Sequence, residues 1–253
     1  TAVRRILVPE NLVEDVQKAL IGRLRKTTIG DPAIEGVRMG ALASKEQVVR
    51  VKENVELLMG NQEVVYGNMK DYELMGASKE KGAFFPPILF RNDDPFNKTL
   101  VHEVEAFGPV STILPYKNME EAIKLIEMGK GSLVTSIVTA DDKIATEFVT
   151  EAAHMNGRML VLNSRCAKES TGHGSPMPLL THGGPGRAGG GEEMGGKRGI
   201  MHYLQRTSIQ GHPQTITAIT KQFQVGADQP EAEPHVFRKH FEELEIGQTV
   251  FTH

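Results

Sequence analysis

Apolar residues recur along this chain in two rhythms, a short one of period two and a longer one of period three to four, and they alternate from the amino end onward. Val3 to Val8 predicts a strand that Pro9 closes. Asn11 is placed to cap a helix whose apolar positions Val13, Val16, Leu20 and Leu24 share one face. Thr27 to Leu42 reads as a turn followed by irregular chain. Ser44 and Gln47 then form a capping box at the start of a helix from Lys45 to Met59, with Val48, Val51, Val55 and Leu58 along one stripe. Gly60-Asn61 releases the chain into a short strand, Val64-Val65-Tyr66. The apolar run from Gly82 to Phe90 reads as another strand, and because Pro86 and Pro87 interrupt it, it is expected near a sheet edge.

The alternation is cleanest from Val110. A strand to Tyr116 is followed by a helix from the Asn118 and Glu121 capping box to Met128, and then by a strand from Ser132 to Thr139. Asp141 caps a helix that buries Ile144, Ala145, Phe148 and Ala152, and the strand Arg158 to Leu162 ends at Asn163. Consecutive strand-helix-strand crossovers imply an α/β class, a layered open sheet with flanking helices. In open parallel sheets ligands collect beyond the carboxyl ends of strands, which points to Asn163 and to the segment Ser164 to Lys197. That segment is rich in glycine, but Gly183 to Gly191 follows no compact strand-turn-helix unit, so it predicts close backbone approach rather than a phosphate cradle. Glu192 to Leu204 is expected to be helical, Tyr203 to Ile209 an exposed strand able to pair with another chain, and Pro213 to Phe223 a further helix. Residues 226–236 have linker composition, and something new begins after them.

Composition narrows the chemistry. Among 253 residues, 29 Lys+Arg stand against 32 Asp+Glu with no dense basic run, so charge gives no case for nucleic acid or an anionic membrane. The apolar runs are strand-sized, too short to span a bilayer. A small molecule is the expected partner. The single cysteine, Cys166, excludes an internal disulfide framework and suits a reducing, cytoplasmic setting. The histidines are scattered without zinc-ligand spacing. Arg165, Lys168 and His173 lie near Cys166 in sequence, but no base with its own orienting partner can be read from the spacing. A packing or wall role fits Cys166 better than a nucleophilic one.

The stretch that concentrates chemistry is His102 to Val110, where Glu105, Phe107 and the Gly108-Pro109 corner crowd together. On extended backbone Glu105 and Phe107 project to the same side, and a flat ring beside a carboxylate suits a ribose and its base. A core phenylalanine beside a solvated glutamate is the plainer alternative. Several segments in order resemble the aldehyde dehydrogenase superfamily. Gly82-Ala83-Phe84-Phe85-Pro86-Pro87 is similar to its G-[YF]-F-x-x-P run, and Glu105 to Val110 to its E-x-F-G-P-V motif. Asn163 ends the expected strand, and His182-Gly183-Gly184-Pro185-Gly186-Arg187 lies where the family has a glycine-rich loop. That loop, with Thr171 to Pro176, is most similar to the dehydrogenase half of the bifunctional ring-opening enzymes of phenylacetate degradation, the PaaZ subgroup. Phe241 to Gln248 resembles the opening strand of a MaoC-type hot-dog hydratase.

The resemblance implies an aldehyde dehydrogenase catalytic domain over 1–225, a linker over 226–236 and the beginning of a hydratase domain over 237–253. It implies oxidation of a semialdehyde, CoA-linked, by NADP or NAD. Glu105 would hydrogen-bond the nicotinamide ribose with Phe107 packed beside it and Gln47 close to the ribose, while Asn163 and Cys166 would wall the substrate tunnel. The strand near 203–209 would make a homo-oligomer. The family's nucleophilic cysteine is expected immediately before Thr1, and its general base further upstream. A scaffold module without catalysis is the alternative.

Overall fold

The structure, a computed structural model, describes residues 2–170, 172–174, 183–190 and 203–228. Among these residues, seven strands fall into two sheets. The first has the order β1-β4-β3-β2, with β1 Arg5–Pro9, β2 Glu63–Tyr66, β3 Ile88–Arg91 and β4 Val110–Tyr116. β4 runs parallel to both β1 and β3, and β2 closes the sheet antiparallel to β3 with a register shift between Val64 and Tyr66. The second sheet is parallel throughout, in the order β5 Ser132–Val138, β6 Asn156–Leu162, β7 Ser208–Gln210.

Helices cover the first sheet on both faces. α1 (Val13–Leu24) lies against a cluster of Val8, Val13, Leu89 and Ile113. α2 (Lys45–Met59) packs Val51, Val55 and Leu58 against Ile88, Phe90 and Val110. Strand alternation explains the division, since Ile88 and Phe90 point to α2 and Leu89 between them to α1. α2 begins on its predicted cap, where the Ser44 hydroxyl accepts from the Gln47 N–H at 3.1 Å. α3 (Leu100–Glu103) is a single turn, and α4 (Met119–Glu127) starts where Asn118 Oδ1 accepts from the Glu121 N–H. α5 (Asp142–Ala152), capped by Asp141, covers the second sheet with Ala145, Phe148, Val149 and Ala152 against Met159 and Val161. α6 (Pro213–Thr220) ends where Lys221 turns left-handed at φ 59°.

Several sequence expectations are corrected. The single open sheet is two sheets: α4 carries the chain from β4 in the first to β5 in the second, whereas β3-α3-β4 and β5-α5-β6 each join parallel neighbours within one sheet. β3 is internal, not at an edge, because Pro86 and Pro87 stop just short of Ile88 and remove no pairing N–H. Asn11 caps nothing; it lies in a 3₁₀ turn, Glu10–Leu12, and α1 starts without a side-chain cap. Ile144 is exposed, and Val149 takes the inward place on α5. β7 spans 208–210 rather than 203–209 and pairs with β6 of the same chain, while Tyr203 and Leu204 precede it in an exposed turn. The expected helix over Glu192 to Leu204 falls largely outside the described residues, as do His182 and the hydratase-like 237–253.

Candidate cofactor and substrate site

Residues 101–108 are held from two directions. From α2, Gln47 Nε2 donates to the Phe107 carbonyl at 2.6 Å and Asn54 Nδ2 to the Glu105 carbonyl at 3.1 Å. Gly108 then passes so close to α2 that a Cβ there would stand 2.7 Å from Val51 Cγ1. From the other side, two arginines take the carbonyls that a helix leaves without partners at its carboxyl end. Arg4 Nη1 donates to the oxygens of His102 at 3.3 Å and Val104 at 3.2 Å. Arg187 donates from Nη1 to His102 O and from Nη2 to Glu103 O, both at 2.9 Å.

This scaffold presents Glu105 and Phe107. The Glu105 carboxylate is partly exposed and meets Arg4 Nη2 at 3.8 Å. Phe107 is 73% exposed, which disposes of the core-phenylalanine alternative. Its φ of 55° breaks the extended backbone on which the same-side argument depended, so the pair owes its placement to pinned carbonyls rather than to strand alternation. Gln47 reaches the motif through the Phe107 main chain, and its own Oε1 accepts from the Ala43 N–H at 3.2 Å. Arg50 pairs outward with Glu46.

Beneath the motif, His102 is buried at 1% exposure. Its Nε2 faces Pro95 O at 2.8 Å and its Nδ1 faces Arg5 Nη1 at 2.9 Å. A carbonyl only accepts and a guanidinium only donates, so the ring is neutral with its proton on Nε2. Burial, reinforced by the charges of Arg5 and Arg4 against the Pro95 hydrogen bond, pushes its pKa down. Burial also lowers Arg5 to about 10, with Arg4 and Arg187 adding to the effect. Because the folded pKa of His102 lies below its unfolded value near 6.5, the unfolded chain binds the proton more readily. Its contribution is complete above that pH and is lost as pH falls toward the folded value. Half-buried His173, lowered in the same direction by burial and Arg158, adds to the loss. Urea titrations from pH 7.5 to 5 should show stability falling by up to ~1.4 kcal/mol per pH unit for each such group. His102→Gln, which keeps one donor and one acceptor, should flatten the slope, and an unchanged slope would assign the acid sensitivity elsewhere.

Near Phe107 an apolar cleft of about 220 Å³ opens at the amino ends of β1, β3 and β4, lined by Ala2, Val3, Leu24, Ile88, Gly108 and Pro109 among others. Asn163 and Cys166 lie instead at the carboxyl end of β6. Asn163 Nδ2 donates to Thr215 Oγ1 at 2.9 Å and its Oδ1 accepts from the Arg165 N–H, while the Cys166 thiol turns toward the carbonyls of Val161 and Asn163 at 3.7 Å. No base stands against that thiol among the described residues, and no contact joins it to Glu105. The glycine-rich loop does join the two sheets. Gly184 and Gly190 pair across it, the Arg187 N–H donates to Lys130 O, and Gly157 at the start of β6 packs against Gly183. The sequence singled out Glu105 and Phe107; it gave no sign that Arg4, Arg5 and Arg187 converge beneath them, because those partners lie some 80 to 120 positions away in the chain.

With this geometry in view, comparison with known proteins is decisive on family. The model of the aldehyde dehydrogenase family matches residues 1–209. The chain belongs to the aldehyde dehydrogenase family. It is 46% identical over 215 residues to a Klebsiella aerogenes protein named MaoC, covering 85% of this chain and 62% of that protein. It is 38% identical over 185 residues to the 3,4-dehydroadipyl-CoA semialdehyde dehydrogenase of Aromatoleum evansii, covering 73% of this chain and 36% of the relative. The chain thus spans less than two thirds of these relatives. Among solved structures, betaine aldehyde dehydrogenase of Staphylococcus aureus in complex with NAD+ matches with a TM-score of 0.64 at 23% identity, over 79% of this chain and 37% of that one. Succinic semialdehyde dehydrogenase of Streptococcus pyogenes with NADP+ matches with a TM-score of 0.60 at 20% identity, over 74% and 37%. Both support the α/β fold of the family. Among the described residues no helix is long and apolar enough to cross a membrane.

Proposed function

We propose that this chain forms one wall of an NAD(P)-dependent aldehyde dehydrogenase site that oxidises a CoA-linked semialdehyde to the acid. The observation that carries the reading is the Glu105 carboxylate, held out on a backbone pinned from two sides beside an exposed ring. With one cationic neighbour at 3.8 Å, its oxygens keep lone pairs for a ribose diol, and the Phe107 ring offers a flat surface against which a base or sugar can rest. A bound dinucleotide would supply the hydride acceptor. Glu105 and Phe107 fix its nicotinamide end, and Gln47 holds the Phe107 turn behind them. Asn163 and Cys166, at the mouth of β6, belong to the substrate wall by resemblance to the family. We assign no nucleophile among the described residues, since the Cys166 thiol faces main-chain carbonyls.

The CoA-linked substrate is favoured by the likeness to the Aromatoleum enzyme. A hydratase partner domain is favoured by the resemblance of the sequence Phe241 to Gln248 to the MaoC type and by the likeness to a Klebsiella protein named MaoC, and a place in phenylacetate breakdown by the resemblance of the glycine-rich segment to the PaaZ subgroup. Homo-oligomer formation through the region of β7 is favoured by its position at the edge of the second sheet. In the full-length protein, Glu105→Gln should lower kcat/KM for NAD(P)+ by roughly 10- to 100-fold, the scale of one or two charge-assisted hydrogen bonds. An unchanged rate of reduced-cofactor formation, followed by absorbance, would sink the assignment and leave a scaffold role.

A further inference from the structure

We infer that Arg4 and Arg187 are positioning residues for the cofactor-binding carboxylate of Glu105, acting together as a clamp on the carbonyls before it that sets where Glu105 stands. The inference rests on the reading of Glu105 given above and goes beyond it, since it makes the placement of that group depend on the amino-terminal strand and on the glycine-rich loop at once.

Neither arginine belongs to the E-x-F-G-P-V motif. Arg4 precedes β1, with one nitrogen shared between the carbonyls of His102 and Val104 and the other turned to Glu105 at 3.8 Å. A partly exposed ion pair of that length ordinarily contributes little, because a long side chain must be ordered to make it. Here the ordering cost is already met by the carbonyl bonds, so the guanidinium is a fixed charge beside the carboxylate. Arg187 reaches the same turn from the other sheet, and its planar fork fits the adjacent oxygens of His102 and Glu103. Its main chain is anchored in turn, the N–H on Lys130 O and the preceding glycine packed onto Lys130 and Gly131. The His102 carbonyl is the shared point, accepting from both. A shift of the glycine-rich loop therefore moves the end of α3, two residues before Glu105.

The test uses full-length protein, with initial rates measured against both substrates. Arg4→Gln and Arg187→Gln should each raise KM for NAD(P)+ about tenfold, the effect of one lost charge-assisted contact, with KM for the aldehyde within twofold. Arg187→Lys should recover only part of the loss, because an ammonium cannot bond both oxygens as the fork does. The deciding readout is the pair with Glu105→Gln: once the carboxylate is gone, removing Arg4 should add less than a further twofold. A full additional tenfold in that background, or single variants within twofold of wild type while Glu105→Gln is impaired, would overturn the clamp. If Glu105→Gln itself is silent, the cofactor reading fails rather than the clamp alone. Should Arg4→Gln fold poorly, Arg4→Lys keeps the charge and loses the double carbonyl contact, and the same comparison holds.

Discussion

Replacing Arg5 by Met lowers the stability of this fold by about 3 kcal/mol, at ~1 kcal/mol for each of three hydrogen bonds lost. The guanidinium joins three otherwise separate parts: Nη1 bonds His102 Nδ1 and the Leu125 carbonyl, and Nη2 the Ile126 carbonyl at 3.3 Å. Arg5 lies on β1 in the first sheet, the two carbonyls lie at the end of α4 on the way to the second, and His102 lies under the turn that carries Glu105 and Phe107. Methionine preserves much of the apolar stem, so the loss reports the polar contacts. With a shift of ~2–4 °C per kcal/mol for a chain of this size, the melting temperature should fall by about 6–12 °C. Loss of the tie between the sheets should also broaden the urea transition. A drop under about 1 kcal/mol, with the transition as sharp as before, would mean that water takes over these contacts at no cost.

Gly157→Ala should undock the glycine-rich loop. A methyl group at 157 would overlap the Gly183 carbonyl oxygen and crowd the Gly184 Cα at 3.0 Å, and both obstacles are backbone that cannot rotate aside. Overpacking of this kind costs roughly 1–3 kcal/mol. The sign of the effect is diagnostic. Gly157 does not need a left-handed backbone, so if the loop were not docked the same substitution would stabilise by about 0.4–1 kcal/mol through the unfolded state. Limited proteolysis supplies the second measurement. Cleavage around residues 183–190 should accelerate in the variant, since a released segment is cut more readily than one bonded to Lys130 and His102. Stabilisation with unchanged cleavage would refute the docking.

The elements with capping boxes were legible to within a residue or two. Ser44 with Gln47, Asn118 with Glu121 and Asp141 each carry the start signal and the following stripe in consecutive sequence. The division into two sheets was not legible, because a strand-helix-strand run has the same periodicity whether or not its strands are neighbours. β3 was misplaced for a related reason: prolines forbid pairing only where they stand, and Pro86 and Pro87 stand just outside. At the candidate site, a local motif singles out Glu105 and Phe107, but the same-side argument from extended backbone fails at Phe107, whose left-handed φ no periodicity announces. The arginine contacts were invisible in principle, since they pair side chains with main-chain oxygens, and an oxygen carries no residue-type signature.

That last property has a consequence for how this region tolerates change. Arg187 grips the carbonyls of His102 and Glu103, and Arg4 those of His102 and Val104. Both contacts are blind to the side chains on the gripped residues. At Glu103, whose side chain is exposed, almost any residue that keeps the α3 turn leaves the grip intact. The restriction falls entirely on the gripping side, where no other side chain brings two parallel donors on so long an arm. A saturation library across this contact should therefore be lopsided, permissive at 103 and nearly empty at 187.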